Sequence, residues 1–335
     1  MPLGVDETIA PIFVVGCGRS GTTLLRLMLN RHSQLAIFGE TQAFFWLGKY
    51  GKLSEEKSLS RLIRDWQMSC EVHSPYPQMM DSAALRKRLE AAASYAEAIS
   101  KIMEEFLSLE KKARWGEKTP AHLHQIASIS RAYPKAKFIH LIRDPRAVVS
   151  SAISELGDGV YNSFSVNRVA RYWNRCEAAI ERASAKFPGK VLKVKYEDLV
   201  EYPDKTLKLM CDFLGVAYEA EMLNTAESAK LNAPRHEGNG PVLTAHKGLL
   251  ANINSSARDK WRERLDPALV GVVDHASEAW MGLRNYPQAS LPREARPSLG
   301  MKIALYIDWQ FSEAKRLIHR QALTTYWKLR VLYAG

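Results

Sequence analysis

The sequence predicts an α/β protein: a three-layer domain with a central, mainly parallel sheet flanked by helices, followed by a helical C-terminal tail. Three observations lead there. Short apolar runs at Ile12–Val15, Phe138–Ile142 and Val191–Val194 have the composition of strands buried on both faces. Each run turns into a segment of helical period, the order of βα units in a parallel sheet. The first junction is a glycine-rich turn that opens onto a helix.

That junction, Pro11–Asn30, reads PIFVVGCGRSGTTLLRLMLN. After the strand, Gly16, Gly18 and Gly21 allow close backbone approach. Leu24, Leu25, Met28 and Leu29 then recur at helical spacing. Free N–H groups and the positive end of the helix dipole make the turn an anion site. Gly16–Thr23 fits the nucleotide-hydrolase pattern GxxxxGK[ST] except that Thr22 stands where the lysine belongs. The fold is therefore P-loop NTPase-like, but the loop is poorly equipped for Mg-dependent NTP hydrolysis. Arg19 supplies a cation instead.

Composition narrows the function classes. The 335 residues are 46 % apolar and 25 % charged, ordinary for a folded protein, and the net charge of +11 favours acidic partners. Cys17, Cys70, Cys176 and Cys211 lie far apart without a CxxC, so neither a disulfide framework nor a zinc site is expected. No apolar run approaches the roughly 20 residues of a membrane helix. The opening MPLGVDETIAP lacks the basic and apolar regions of a signal peptide. The expectation is a soluble, cytoplasmic protein.

The remaining elements follow in order. Leu35–Phe38 reads as a short strand closed by a turn at Gly39-Glu40-Thr41. Ligands gather outside the carboxyl ends of parallel strands, so Glu40 is a candidate for the crevice that holds the loop. A helix-capping or surface glutamate is the plain alternative. Phe44, Phe45 and Trp46 suit an acceptor pocket or a core. Residues 54–67 and 82–112 carry helical spacing, the second through Leu85, Leu89, Ala92, Tyr95, Ile99, Ile102, Phe106 and Leu109, with the proline-broken HSPYPQMM between them. Thr119-Pro120 reads as the N-cap and first residue of a helix towards Arg131, with Lys118 just before it. His122 and His124 read as polar helix residues, since no third metal ligand stands nearby.

The strand Phe138–Ile142 ends in Arg143-Asp144-Pro145, and Pro145 opens a helix holding Ser150 and Ser151. An arginine at a strand end and a serine two turns into the next helix can meet one anion from two sides. The alternative is that Arg143 pairs with Asp144. Val191–Val194 runs into Tyr196 and an acidic helix start, and Pro203–Gly215 is an amphipathic helix. Residues 224–258 are loop-like and contain Lys247; Lys260–Leu283 carries another apolar stripe.

With RSGTT, RDPRAVVSS and KYEDL in this order, the sequence resembles the sulfotransferases that use 3′-phosphoadenosine 5′-phosphosulfate (PAPS), over residues 11–285. It is bacterial in type, with some likeness to the tyrosylprotein sulfotransferases. The resemblance implies that Arg19, Ser20, Gly21, Thr22 and Thr23 hold the 5′-phosphosulfate. It implies that Arg143 and Ser151 grip the 3′-phosphate and that Tyr196 packs near the adenine. Lys118, in EKTP, matches a lysine near the transferred group. Glu40 matches the catalytic glutamate of the tyrosylprotein enzymes. INSSARDKWRERL resembles the C-terminal cofactor element, with Lys260 as its cation. PAPS is then the co-substrate, with no metal, and the catalytic set is Glu40, Lys118 and Arg19.

The implied activity is sulfuryl transfer to a hydroxyl, or to an amine, of a carbohydrate, lipid or small-molecule acceptor, without a nucleic-acid partner. The alternatives are a protein that binds PAPS or its desulfated product PAP without turnover, protein-tyrosine sulfation, and an NTP kinase, which Thr22 disfavours. The expected domain spans residues 1–290. The tail, 291–335, is amphipathic through Ala304, Ile307, Phe311, Ala314, Ile318, Ala322, Tyr326, Leu329 and Tyr333, with cations from Lys315 to Arg330 on its other faces. Packing onto the domain or in a homodimer is the expectation, and a membrane-peripheral helix the alternative.

Overall fold

The computed structural model describes residues 10–41, 43–47, 83–156, 163–225 and 257–332. The readings at residues 54–67, at HSPYPQMM, at Cys70, around Lys247 and at the tail side chains from Arg316 onward lie outside the described residues. Five strands, β1 (Ile12–Gly16), β2 (Leu35–Phe38), β3 (Arg114–Lys118), β4 (Lys137–Ile142) and β5 (Val191–Lys195), form one sheet in the order β2-β3-β1-β4-β5. Every pairing is parallel.

β1 is central and wholly buried because both its faces are covered. Ile12 and Val14 pack with Leu25 and Met28 of α1 (Thr22–Leu29). Phe13, on the alternate face, stacks on Phe138 at 5.3 Å and meets Phe44 edge-on at 4.9 Å. Phe44 is thus core; the side chains of Phe45 and Trp46 lie outside the description.

β3 was not foreseen. RWGEK has two cations, an acid and a glycine, none of the apolar β-branched signal of a buried strand. It nevertheless lies between β2 and β1, and a Cβ on Gly116 would come within 2.6 Å of the Ile12 carbonyl. Thr119-Pro120 also departs from the expected helix start. A 3₁₀ turn, Pro120–Gln125, comes first, and the Thr119 hydroxyl donates to Glu117 instead of capping.

The expected helix over 82–112 is two helices, α2 (Ala83–Glu90) and α3 (Tyr95–Glu110). Ser94 separates them as an N-cap, accepting from the Glu97 amide at 3.1 Å while the Glu97 carboxylate accepts from the Ala93 amide at 2.8 Å. This capping box outweighs the continuous apolar stripe. Next come α4 (Ile126–Ala132), α5 (Pro145–Leu156) and α6 (Ser163–Lys186), the last unforeseen, then α7 (Tyr196–Glu201) and α8 (Pro203–Leu214). The expected Lys260–Leu283 helix is α9 (Trp261–Arg264) and α10 (Pro267–Leu283), divided where Asp266 caps the Ala268 amide at 2.7 Å. α11 (Leu299–Leu332) ends the described chain.

The chain forms two compact units, residues 1–143 with 176–259, and residues 144–175 with 260–335. The first holds the sheet. The second has its own core, in which Ala147, Val166, Ala170, Val273 and Leu305 pack together. There Arg146 binds the Asp144 carboxylate through Nη2 at 2.6 Å and Nε at 2.9 Å and lies 4.2 Å over Trp261. α11 packs on α6 within this unit: Leu305 is buried, the Asn167 amide donates to its carbonyl at 3.1 Å, and Arg168 pairs with Asp308 at 2.5 Å. Leu299, Ile303, Tyr306, Ile307 and Phe311 on the same helix are exposed. No helix among the described residues is long and apolar enough to cross a membrane.

Candidate functional site

The carboxyl ends of all five strands carry a residue singled out from the sequence. The glycine-rich loop follows β1, Glu40 lies two residues after β2, Lys118 ends β3, Arg143 follows β4 and Tyr196 follows β5. In a parallel sheet that edge is where ligands collect.

In the loop, Arg19 (φ 69°) and Gly21 (φ 90°) adopt left-handed backbone. For an arginine this costs about 1–3 kcal/mol, the kind of strain held at functional turns. Gly21 occupies the N-cap of α1 and no side chain caps the helix, so the first-turn amides are available to an anion. The Ser20 hydroxyl is fully buried and has no hydrogen-bond partner among the described residues. Uncapped amides and an unsatisfied buried hydroxyl fit the phosphosulfate expected there. Cys17 packs beneath, its thiol pushed well above the ordinary range by a hydrogen bond with Cys176 and by burial.

Tyr196 and Arg143 flank the loop. A Cβ on Gly21 would lie 2.4 Å from the Tyr196 ring, so glycine is required there by space as well as by φ. Arg143 lies 4.4 Å over that ring, donating to the Arg19 carbonyl at 2.9 Å and the Ala257 carbonyl at 2.8 Å. The segment just before Lys260 thus reaches Arg143. Ser151, half-buried on α5, and Lys260, exposed just before α9, belong to the second unit.

Glu40 and Lys118 meet. The Lys118 ammonium is 2.5 Å from Glu40 Oε1 and 3.3 Å from Thr23 Oγ1 in the first turn of α1. Burial lowers the hold of Lys118 on its proton, and the Glu40 charge opposes that shift. An ammonium beside a carboxylate favours its charged form, the form a general base needs.

Two further residues were missed from the sequence. Arg26, buried on α1, is pulled down to about 10 by burial while Glu40 and Glu110 draw it back up. An arginine amid TTLLRLML was its signal, since charge on an otherwise apolar helix is rarely buried without purpose. Glu117 is wholly buried. Its Oε1 accepts from the Thr41 amide at 3.1 Å, the Thr41 hydroxyl at 3.3 Å and the Thr119 hydroxyl, and its Oε2 meets His122 Nδ1 at 2.9 Å. It had no signal while β3 went unread. His122, expected as a polar residue of an α-helix, is a buried partner of Glu117 in the 3₁₀ turn. Among the described residues no cluster of three His, Cys, Asp or Glu side chains could hold a metal.

Comparison with known proteins finds relatives of this chain. Residues 11–220 match the profile of the sulfotransferase family. A protein-tyrosine sulfotransferase 1 of Danio rerio is 28 % identical over 234 residues, covering 68 % of this chain and 59 % of its own. The protein-tyrosine sulfotransferase of Drosophila melanogaster is 26 % identical over 291 residues, covering 85 % and 54 %. The chain thus spans little more than half the length of these relatives. In fold it resembles the sulfotransferase domain of the Synechococcus PCC 7002 olefin synthase, with a TM-score of 0.57 and 22 % identity over 87 % of this chain and 99 % of that one. With the profile spanning the phosphate loop, Glu40, Lys118, Arg143 and Tyr196, the chain belongs to the sulfotransferase family.

Proposed function

We propose that the chain moves a sulfuryl group from PAPS to an acceptor hydroxyl at the carboxyl edge of its sheet. The carrying observation is the Lys118 ammonium, which touches both Glu40 and Thr23 of the loop. In-line transfer develops charge on the transferring and leaving oxygens, and fixed donors stabilise it without reorganising. The loop amides, Ser20, Thr22, Thr23 and Arg19 hold the 5′ end, and Lys118 sits beside the transferring oxygens. Glu40 takes the acceptor proton, worth about 10²–10⁴ in rate. Arg143 holds the 3′-phosphate and Tyr196 stacks near the adenine, and by the family resemblance Ser151 and Lys260 are proposed as cofactor contacts of the second unit. PAPS supplies the activated sulfuryl group, and the protein supplies position, charge and a base.

The test incubates the full chain with ³⁵S-labelled PAPS and three acceptor sets: an acidic tyrosine peptide with its phenylalanine counterpart, oligosaccharides, and lipids. Label on any acceptor supports the proposal. PAP binding without label on any of them favours a binding protein without turnover. A tyrosyl hydroxyl is the second reading, because the relatives are named protein-tyrosine sulfotransferases. A membrane-surface contact through α11 is proposed as well, and flotation with anionic but not neutral vesicles checks it; a doubled mass without flotation leaves the homodimer.

A further inference from the structure

The buried carboxylate of Glu117 touches both the backbone beside Glu40 and the element that carries Lys118. Its Oε1 takes the Thr41 amide and hydroxyl, fixing the residue next to Glu40. Its own strand ends at Lys118, the next residue. Its remaining bonds reach the Thr119 hydroxyl and His122 Nδ1, tying in the 3₁₀ turn that follows. β2 and β3 are neighbours in register up to Phe38 and Glu117, and beyond that point the sheet no longer aligns the two chains. The Glu117 carboxylate takes over where the ladder stops.

We infer that Glu117 is a positioning residue that sets the distance between Glu40 and Lys118, and that its charge acts on the Lys118 ammonium. This rests on the reading of Glu40 and Lys118 as the catalytic pair. A buried carboxylate is costly unless hydrogen-bonded, and here four donors converge on it. A merely structural role needs only those bonds; the charge is superfluous to it. The charged groups facing Lys118 are Glu40 and Glu117, which strengthen its hold on the proton, and Arg26, which weakens it.

Two variants separate shape from charge. Glu117→Gln keeps size and most acceptor capacity, since the Thr hydroxyls can rotate and His122 can switch tautomer. Glu117→Asp keeps the charge and shortens the reach. Three measurements apply to the full-length protein. NMR titration of Lys118 Nζ without ligand should move to lower pH in Glu117→Gln and much less in Glu117→Asp. Calorimetric affinity for PAP should stay within about threefold in both, because the loop is untouched. Turnover of PAPS with whichever of the three acceptor sets the wild type labels should fall tenfold or more in both, with a smaller change in KM.

A folded Glu117→Gln whose Lys118 titration and His122 ring signals match the wild type would overturn the inference. So would wild-type turnover in both variants. If the wild type itself transfers no label, the proposed function fails, while the Lys118 titration still decides whether Glu117 governs that ammonium.

Discussion

At the residue scale, the site joins polar groups from several strand ends, Lys118 to Glu40 and Thr23, and Glu117 to Thr41. Glu40→Gln removes the proposed base and keeps the shape, so PAP binding should survive while transfer falls about 10²–10⁴-fold; calorimetry beside a ³⁵S transfer assay checks both halves. Arg19→Ala should lower kcat by about 10²–10³, the loss typical of one preorganised donor. Lys118 gives a prediction in pH. Its folded value lies below the ordinary 10.5, so turnover should fall on an alkaline limb beneath that value, and Lys118→Arg should remove the limb. Between the depressed value and 10.5 the unfolded chain binds more protons than the folded one. The contribution of Lys118 to stability therefore rises with pH in the window where activity is lost.

At the scale of elements, local signals competed with tertiary demands and the outcome depended on which was stronger. The capping box at Ser94 and Glu97 broke an apolar stripe that would otherwise have run from residue 82 to 112. β3 went unread because its buried polar residues serve the site, not the core. α11 allows a clean comparison of its two sides. Leu305→Ala should destabilise the chain by about 2–5 kcal/mol, as a fully buried leucine does. Ile303→Ala, at 51 % exposure, should change stability by no more than about 0.5 kcal/mol. Denaturant titration of the two variants measures the difference, and equal losses would mean that Ile303 is covered.

For the whole molecule, binding and folding are linked through the phosphate loop. A ligand that binds only the folded chain stabilises it by about 2.7 kcal/mol at a hundred times its Kd. Thermal unfolding should therefore shift upward with PAP and much less with ADP, which lacks the 3′-phosphate, and Arg143→Ala should bring the two shifts together. Much of this was legible in the residues alone: a strand, three glycines and a helix start define an anion-binding turn through backbone chemistry that any such sequence carries. The RDP segment and Glu40 were legible because strand ends and turns have local signatures. Glu117, Arg26 and β3 were not, since each depends on partners far off in the chain, such as Thr41, 76 residues from Glu117. Local pattern specifies backbone shape, whereas the satisfaction of a buried charge depends on partners that only the folded sheet brings close, as it brings the Thr41 amide to 3.1 Å from Glu117.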